Sequence, residues 1–367
     1  MSIHAVVHLI EPALDALNLA DSAGLQLYSA VTLAELHHPP LNPDVAALLL
    51  AAGPPDLSRV KAVLLNQYPG DHSLRIARGT GTGSTAQTLT LDTLDQLAAP
   101  AEWTAVYVPP LPQAASFEHF QEIIAHLRAP EGCPWDQKQT HGSLRPYLLE
   151  ETYEVLDALD SGRVDDLREE LGDLLLQIVL HSQIAVDEGE FRMTDILATI
   201  NEKIVRRHPH VWGNVDVNDE NDVKTNWDRL KQQEKNGDRQ SRLDGVSKAL
   251  PALSQAFSYQ DRAARVRFDW DTIEPVIAKV HEEIEELLAA ESQAEREAEV
   301  GDLLFAVVNW ARWLDVEPEA ALRRTNTRFY RRFHYIEQQA AAQNRAIDDM
   351  TLDEMDTLWE AAKATGL

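Results

Sequence analysis

Glu170-Leu-Gly-Asp173-Leu-Leu-Leu176 is answered, some 130 residues later, by Glu299-Val-Gly-Asp302-Leu-Leu-Phe305. In both stretches two carboxylates stand three residues apart, beside apolar residues at helical spacing. That separation puts both acids on one helix face. Each stretch is preceded by a second pair with the same spacing, Glu151/Glu154 in the first copy and Glu283/Glu286 in the second. Two helices per copy thus point four carboxylates at a common space. Such a cluster repels itself unless a divalent cation sits in it, and an all-oxygen donor set suits Mg²⁺ or Mn²⁺.

The sequence around this repeat reads as almost wholly helical. In the first copy, Phe117–Leu127 is a short amphipathic helix, broken by Gly132-Cys-Pro-Trp135. Ser143 is a candidate N-cap for a helix to about Asp160, with Pro146 tolerated in its first turn. Ser161-Gly162 ends it, and a second helix is expected over about Val164 to Asp187. Thr194 is a candidate cap for a third, stopped by His208-Pro209. The second copy repeats this plan over Ile273–Ala290, Ala294–Leu314 and a long helix opened by Pro318, and Thr351-Leu-Asp-Glu354 is a capping-box pattern. Antiparallel packing within each pair is expected to join the acids along a seam and bury the apolar stripes beside them, Leu148, Leu149, Val155, Leu159, Leu171, Leu174 and Ile178 in the first and Ile284, Leu287, Leu303 and Leu304 in the second.

Ahead of the helices, residues 1–112 are rich in Ala, Leu and Pro. Ala62-Val-Leu-Leu65 and Ala105-Val-Tyr-Val108 read as buried strands, with further strands at Leu74–Ala77 and Thr88–Leu91. Gly79-Thr-Gly-Thr-Gly83 fits a hairpin turn better than a phosphate loop, because it lacks that fingerprint. Pro109-Pro-Leu-Pro112 closes the segment, and Asn236–Ser241 reads as the linker between copies. The expected organisation is mainly α: a small α/β segment at 1–112, then all-α bundles at 113–235 and 243–367.

Composition restricts the function. A net charge of −27 over 367 residues argues against nucleic acid and anionic membrane as partners. The single cysteine, Cys133, excludes an intrachain disulfide and a thiolate zinc site. Neither a secretory leader nor a membrane-length apolar run is visible, so a cytoplasmic protein is expected.

Acid pairs three apart are common on solvated helix faces, and one pair alone would carry little. Duplication of both pairs, with Gly-Asp-Leu-Leu kept, favours an ion site. Neither acid helix pair carries the Glu-x-x-His of a di-iron bundle, which favours Mg²⁺ with a phosphorylated substrate over redox iron. Basic residues recur at matched positions, Lys203, Arg206 and Arg207 against Arg328, Arg331 and Arg332. Beside metal-holding acids they are candidate phosphate partners; the competing reading is ion pairing along their own helix. Trp135 and Trp270 precede the two copies as candidates for stacking on a nucleobase or for helix packing.

These residues resemble the MazG family of nucleoside triphosphate pyrophosphohydrolases. The resemblance rests on Gly132-Cys-Pro-Trp-Asp136, Leu144 through Glu154, Glu170 through Leu175 and Arg206 through Val211, and on Glu282 through Glu286, Glu299 through Phe305 and Asn326 through Phe333. It implies an all-α homodimer that cleaves between the α and β phosphates. It also implies that Mg²⁺ is held by Glu151, Glu154, Glu170 and Asp173, and by Glu283, Glu286, Glu299 and Asp302. Glu150 and Glu282 then become candidates to orient or activate the attacking water, and the paired basic residues would meet phosphate. Arg328 stands where the family often has lysine, and a guanidinium makes a different contact. His37 through Pro43, Leu64 through Pro69 and Tyr107 through Pro112 resemble a tetrapyrrole-methylase-like module, here expected to be a truncated remnant without methyltransferase activity. The rival reading is a non-catalytic sensor of nucleotide or metal.

Overall fold

The structure, a computed structural model, describes residues 7–19, 24–80, 83–97, 101–217, 219, 222–223, 226–227, 230 and 241–367. They form two compact units, Met1–Ala198 and Thr199–Leu367.

The first unit opens with α1 (Ile10–Leu17), β1 (Gln26–Ser29), α2 (Ala30–Ala34), β2 (Ala47–Ala51), α3 (Leu57–Leu64), β3 (Ser73–Thr80), β4 (Gly83–Thr90) and β5 (Trp103–Val108). The sheet order is β1-β2-β5-β3-β4, with β1 and β2 parallel and the other neighbours antiparallel. Every residue of β2 is buried. Its Ala47, Leu49 and Ala51 pack with Leu33 and Val60, while Leu48 and Leu50 pack with Ala13 and Leu17 of α1. A strand covered on both faces reads as an unbroken apolar run.

Two readings of this segment need correction or completion. Ala62–Leu65 is not a strand but covers the end of α3. Asp56 caps that helix by accepting from Arg59 N–H at 3.0 Å, and Val60, Val63 and Leu64 are buried at helical spacing. A short apolar run does not separate strand from buried helix by periodicity. Strands β1 and β2 went unread for the same reason. The hairpin expected at Gly79–Gly83 pairs up to Thr80 and Gly83, with residues 81–82 outside the described chain. Gly79 is required there, because a Cβ would lie 1.7 Å from the Trp103 indole nitrogen.

The same unit continues with α4 (Phe117–Arg128), α5 (Pro134–Gln137), α6 (Arg145–Ser161) and α7 (Val164–Asp187), and α8 (Met193–Arg207) starts in it. Asp44 ties the α/β segment to α4 by accepting from Ala115 N–H at 2.7 Å and from Ser116 Oγ at 2.6 Å, while Ser116 caps the helix. These bonds hold the Asp44 carboxyl below its ordinary pKa. Ile124, Leu144, Val179, Leu180, Ile184 and Met193 form the helical core. The N-cap of α6 is Leu144 rather than Ser143, whose hydroxyl is used in the preceding turn by Thr140 and Gln139. The boundary expected at 112 falls inside this unit, and the linker expected at 236–241 lies outside the described residues except for Ser241.

The second unit holds α9 (Pro209–Trp212), α10 (Ala252–Ala264), α11 (Glu274–Ala289), α12 (Gln293–Trp313), α13 (Pro318–Ala342) and α14 (Leu352–Ala364). Capping boxes open α12 at Ser292/Glu295 and α14 at Thr351/Glu354. Among the described residues no helix is long and apolar enough to cross a membrane.

The acid-bearing helices pair as expected, α6 with α7 and α11 with α12. Their apolar stripes close only in part: Val155, Leu174, Leu287 and Leu303 are half-buried. Leu149, Leu159, Leu171 and Leu304 are 50 to 57% exposed, and Leu148, Ile178 and Ile284 are exposed too. Buried on the second pair are Val276, Val280, Ala306 and Val308.

Candidate functional site

In the first copy, Glu151 and Glu154 of α6 meet Glu170 and Asp173 of α7. One carboxylate oxygen from each of Glu151, Glu170 and Asp173 lies within 4.8 Å of the others. The Glu151 carboxyl is pushed above its ordinary pKa by burial, then by the charges of Asp173 and Glu154. Glu170 is pushed up by burial and then by Glu154. Raised carboxyl pKa values mark negative charge without compensation, which a bound cation would relieve. Glu150 is exposed beside this group.

The second copy repeats the arrangement on α11 and α12. Oxygens of Glu283, Glu299 and Asp302 lie within 4.8 Å of one another, and Glu283 is only 4% exposed. Glu286 is raised by burial and then by Glu283. Here the chain supplies its own counter-charge: Lys279 Nζ is 2.7 Å from Glu283 and 2.8 Å from Glu282. Those contacts push the Lys279 pKa up, the Glu282 bond most. Lys279 stands one turn before Glu283 on the same face. The residue at that place in the first copy is Tyr147.

The second cluster opens onto a cavity of about 600 Å³. All four acids and Lys279 line one side, and Tyr259, Phe268, Trp270 and Phe305 add aromatic surface. A site of this size, apolar with a few converging charges, suits a small-molecule ligand. Asp269 pins the loop carrying Phe268 and Trp270 to α12, through Arg312 at 2.7 Å and Trp313 Nε1 at 3.2 Å. Gln260 also lines the cavity; its amide N–H donates to the Phe305 carbonyl at 2.8 Å, which turns its oxygen into a buried acceptor with no partner. Lys279, Gln260, Asp269 and Arg312 went unnoticed in the sequence. Only Lys279 left a signal there, its four-residue spacing from Glu283.

The expected basic residues are placed less simply. Lys203, Arg206 and Arg207 lie on the part of α8 that belongs to the second unit. Arg206 pairs with Glu202 at 2.8 Å, and buried Arg207 stacks on Trp227. Arg328 donates to Thr325, and Arg332 donates to the Leu367 carbonyl and covers Trp359. Arg328, Arg331 and Arg332 are not among the residues lining the cavity. Trp270 lines it, whereas Trp135 packs edge-on to Tyr147 with ring centroids 5.9 Å apart, one turn from Glu151.

Comparison with known proteins adds to this geometry. Residues 139–212, which hold the first acid set, match the model of a MazG nucleotide pyrophosphohydrolase domain. The chain is 43% identical over 247 residues to the nucleoside triphosphate pyrophosphohydrolase/pyrophosphatase MazG of Thermotoga maritima, covering 67% of this chain and 95% of that one. It is 45% identical over 248 residues to the nucleoside triphosphate pyrophosphohydrolase of Escherichia coli, covering 66% and 94%. It is also 43% identical over 317 residues to the uncharacterized protein YabN of Bacillus subtilis; the match takes in 84% of this chain and spans 65% of that protein's length.

Proposed function

This chain belongs to the MazG family, and on that premise we propose that it is a Mg²⁺-dependent nucleoside triphosphate pyrophosphohydrolase. It would convert a ribo- or deoxyribonucleoside triphosphate and water into the monophosphate and diphosphate. The observation that carries this reading is the second acid cluster, four carboxylates and a lysine at the wall of an aromatic-lined cavity. We assign the working site to that copy.

The donor set fits the ion. The cluster is all oxygen, Glu283, Glu299 and Asp302 lie within mutual reach, and Glu286 carries a raised pKa that a cation would relieve. Glu283, Glu286, Glu299 and Asp302 would hold Mg²⁺ there, and Glu151, Glu154, Glu170 and Asp173 in the first copy. Bound Mg²⁺ supplies charge neutralisation and polarisation of phosphoryl oxygens. Lys279, the ammonium nearest the acids, adds positive charge for the phosphate chain, and Trp270 offers a stacking face for the base. Glu282 would accept a proton from water attacking the α-phosphorus, with diphosphate leaving; Glu150 would do so in the first copy. A cavity walled by ring faces suits broad base tolerance, hence nucleotide-pool house-cleaning in the cytoplasm rather than action on nucleic acid. The exposed stripes on both acid-bearing helix pairs support a homodimer.

The test is incubation of the full chain with a panel of nucleoside triphosphates, with and without Mg²⁺, and identification of the products. Monophosphate plus diphosphate, lost with chelator, is expected. Diphosphate nucleoside plus orthophosphate would overturn the bond assignment, and bound nucleotide without turnover would replace the enzyme with a sensor.

A further inference from the structure

A second kind of donor set lies in the first unit, apart from the all-oxygen clusters. His141 sits in the loop before α6, His181 on α7, and Glu188 and Glu190 just beyond the end of α7. Gly189 makes this turn possible. Its φ of 73° is left-handed, its N–H donates to Val186 O at 3.1 Å, and Glu190 N–H donates to Ala185 O at 2.8 Å. That is the Schellman closure of a helix, and it turns the two glutamates that flank the glycine back toward His141.

One nitrogen of His141 and one oxygen each of Glu188 and Glu190 lie within 4.8 Å of one another. His141 Nε2 is 3.5 Å from Glu190 Oε2. This is long for a hydrogen bond. It is close to the separation of two ligands on a tetrahedral ion with bonds of about 2.0–2.2 Å. The other ring nitrogen of His141 is engaged: Nδ1 is 2.7 Å from His181 Nδ1, with the rings only 8° from parallel. One proton lies between them. With His141 as donor, its Nε2 lone pair faces the glutamates. A metal-binding imidazole is held in this way by a partner on its far nitrogen.

We propose that His141, Glu188 and Glu190 form a zinc site, with His181 as the positioning residue that fixes the His141 ring. An imidazole with two carboxylates favours Zn²⁺ over Mg²⁺, the reverse of the acid clusters. Three protein ligands leave a fourth position for water. The ion would clip the loop between α5 and α6 to the end of α7.

The test is equilibrium dialysis of the full chain against Zn²⁺ in a large excess of Mg²⁺, which keeps the all-oxygen clusters filled. One zinc per chain is expected, with affinity weakened about 10- to 100-fold in His181→Phe and by more in His141→Ala and Glu190→Gln. Glu188 and Glu190 are exposed, so Glu188→Gln and Glu190→Gln are expected to fold, and helical circular dichroism checks each variant. In His181→Phe, the visible spectrum of the Co²⁺-substituted protein should change while the melting temperature of the metal-free protein does not. Absence of zinc retention against Mg²⁺, or equal affinity in the wild type, His141→Ala and Glu190→Gln, would overturn the proposal.

Discussion

Lys279 is the residue on which the two copies divide. It neutralises Glu282 and Glu283 in the second cluster, where the first has Tyr147. Lys279→Met should raise the KM for nucleoside triphosphate by about tenfold or more, given the strength of charge-assisted contacts. Mg²⁺ binding without nucleotide should not weaken, because the ammonium competes with the ion; calorimetry and steady-state kinetics separate the two effects. The raised carboxyls yield a pH prediction. Glu151, Glu170 and Glu286 hold protons more tightly folded than unfolded. The folded state therefore binds more protons just above the ordinary carboxylate range, and metal-free stability falls as pH rises through that window. A cation removes the penalty only where the acids are ionised. The rise in melting temperature on adding Mg²⁺ should be larger at pH 7.5 than at pH 4.5, and an equal rise at both would contradict this. The eight acids were legible because three-residue spacing and duplication are properties of sequence. Gln260 and Asp269 were not, because each acts through a residue over 40 positions away, Phe305 and Arg312.

Elements were legible in proportion to the strength of their own punctuation. Helix α7 runs over Val164–Asp187, the expected span, because Gly162 at φ 69° ends the helix before it and Gly189 closes it. The capping box at Thr351/Glu354 was read for the same reason. Helix α3 and strand β2 are short apolar runs whose identity depends on what covers them, and no local signal supplies that. Strand β2 is buried along its whole length in the α/β segment. Leu49→Ala there should destabilise this unit by about 2–5 kcal/mol, the range for a fully buried leucine. Denaturant unfolding measures the loss, and kcat below the transition should be unchanged, since the segment contributes no lining residue to the cavity. The expectation that the helix pairs bury their own stripes holds only for part of each stripe, because helical period reports an apolar face and not its partner.

For the molecule as a whole, those open stripes predict a homodimer. Leu304→Asp, on a residue 51% exposed, should shift the mass seen by light scattering from dimer toward monomer; an unchanged monomeric mass for wild type and variant would remove the dimer. On the proposed reading, Mg²⁺ offsets the strong negative charge and lets an anionic nucleotide approach either cluster. Duplication was visible in the sequence, but the proposed division of labour between copies was not, since all eight acids are present. The cavity beside Glu283, with Lys279 in its wall, carries that assignment. The most direct test is the steady-state rate of diphosphate release from a nucleoside triphosphate in Mg²⁺ for the wild type, Glu151→Gln and Glu283→Gln, with folding checked by circular dichroism. The second site as the working centre predicts a loss of at least about 100-fold in Glu283→Gln and a rate near wild type in Glu151→Gln. Full activity in Glu283→Gln with loss in Glu151→Gln would contradict it.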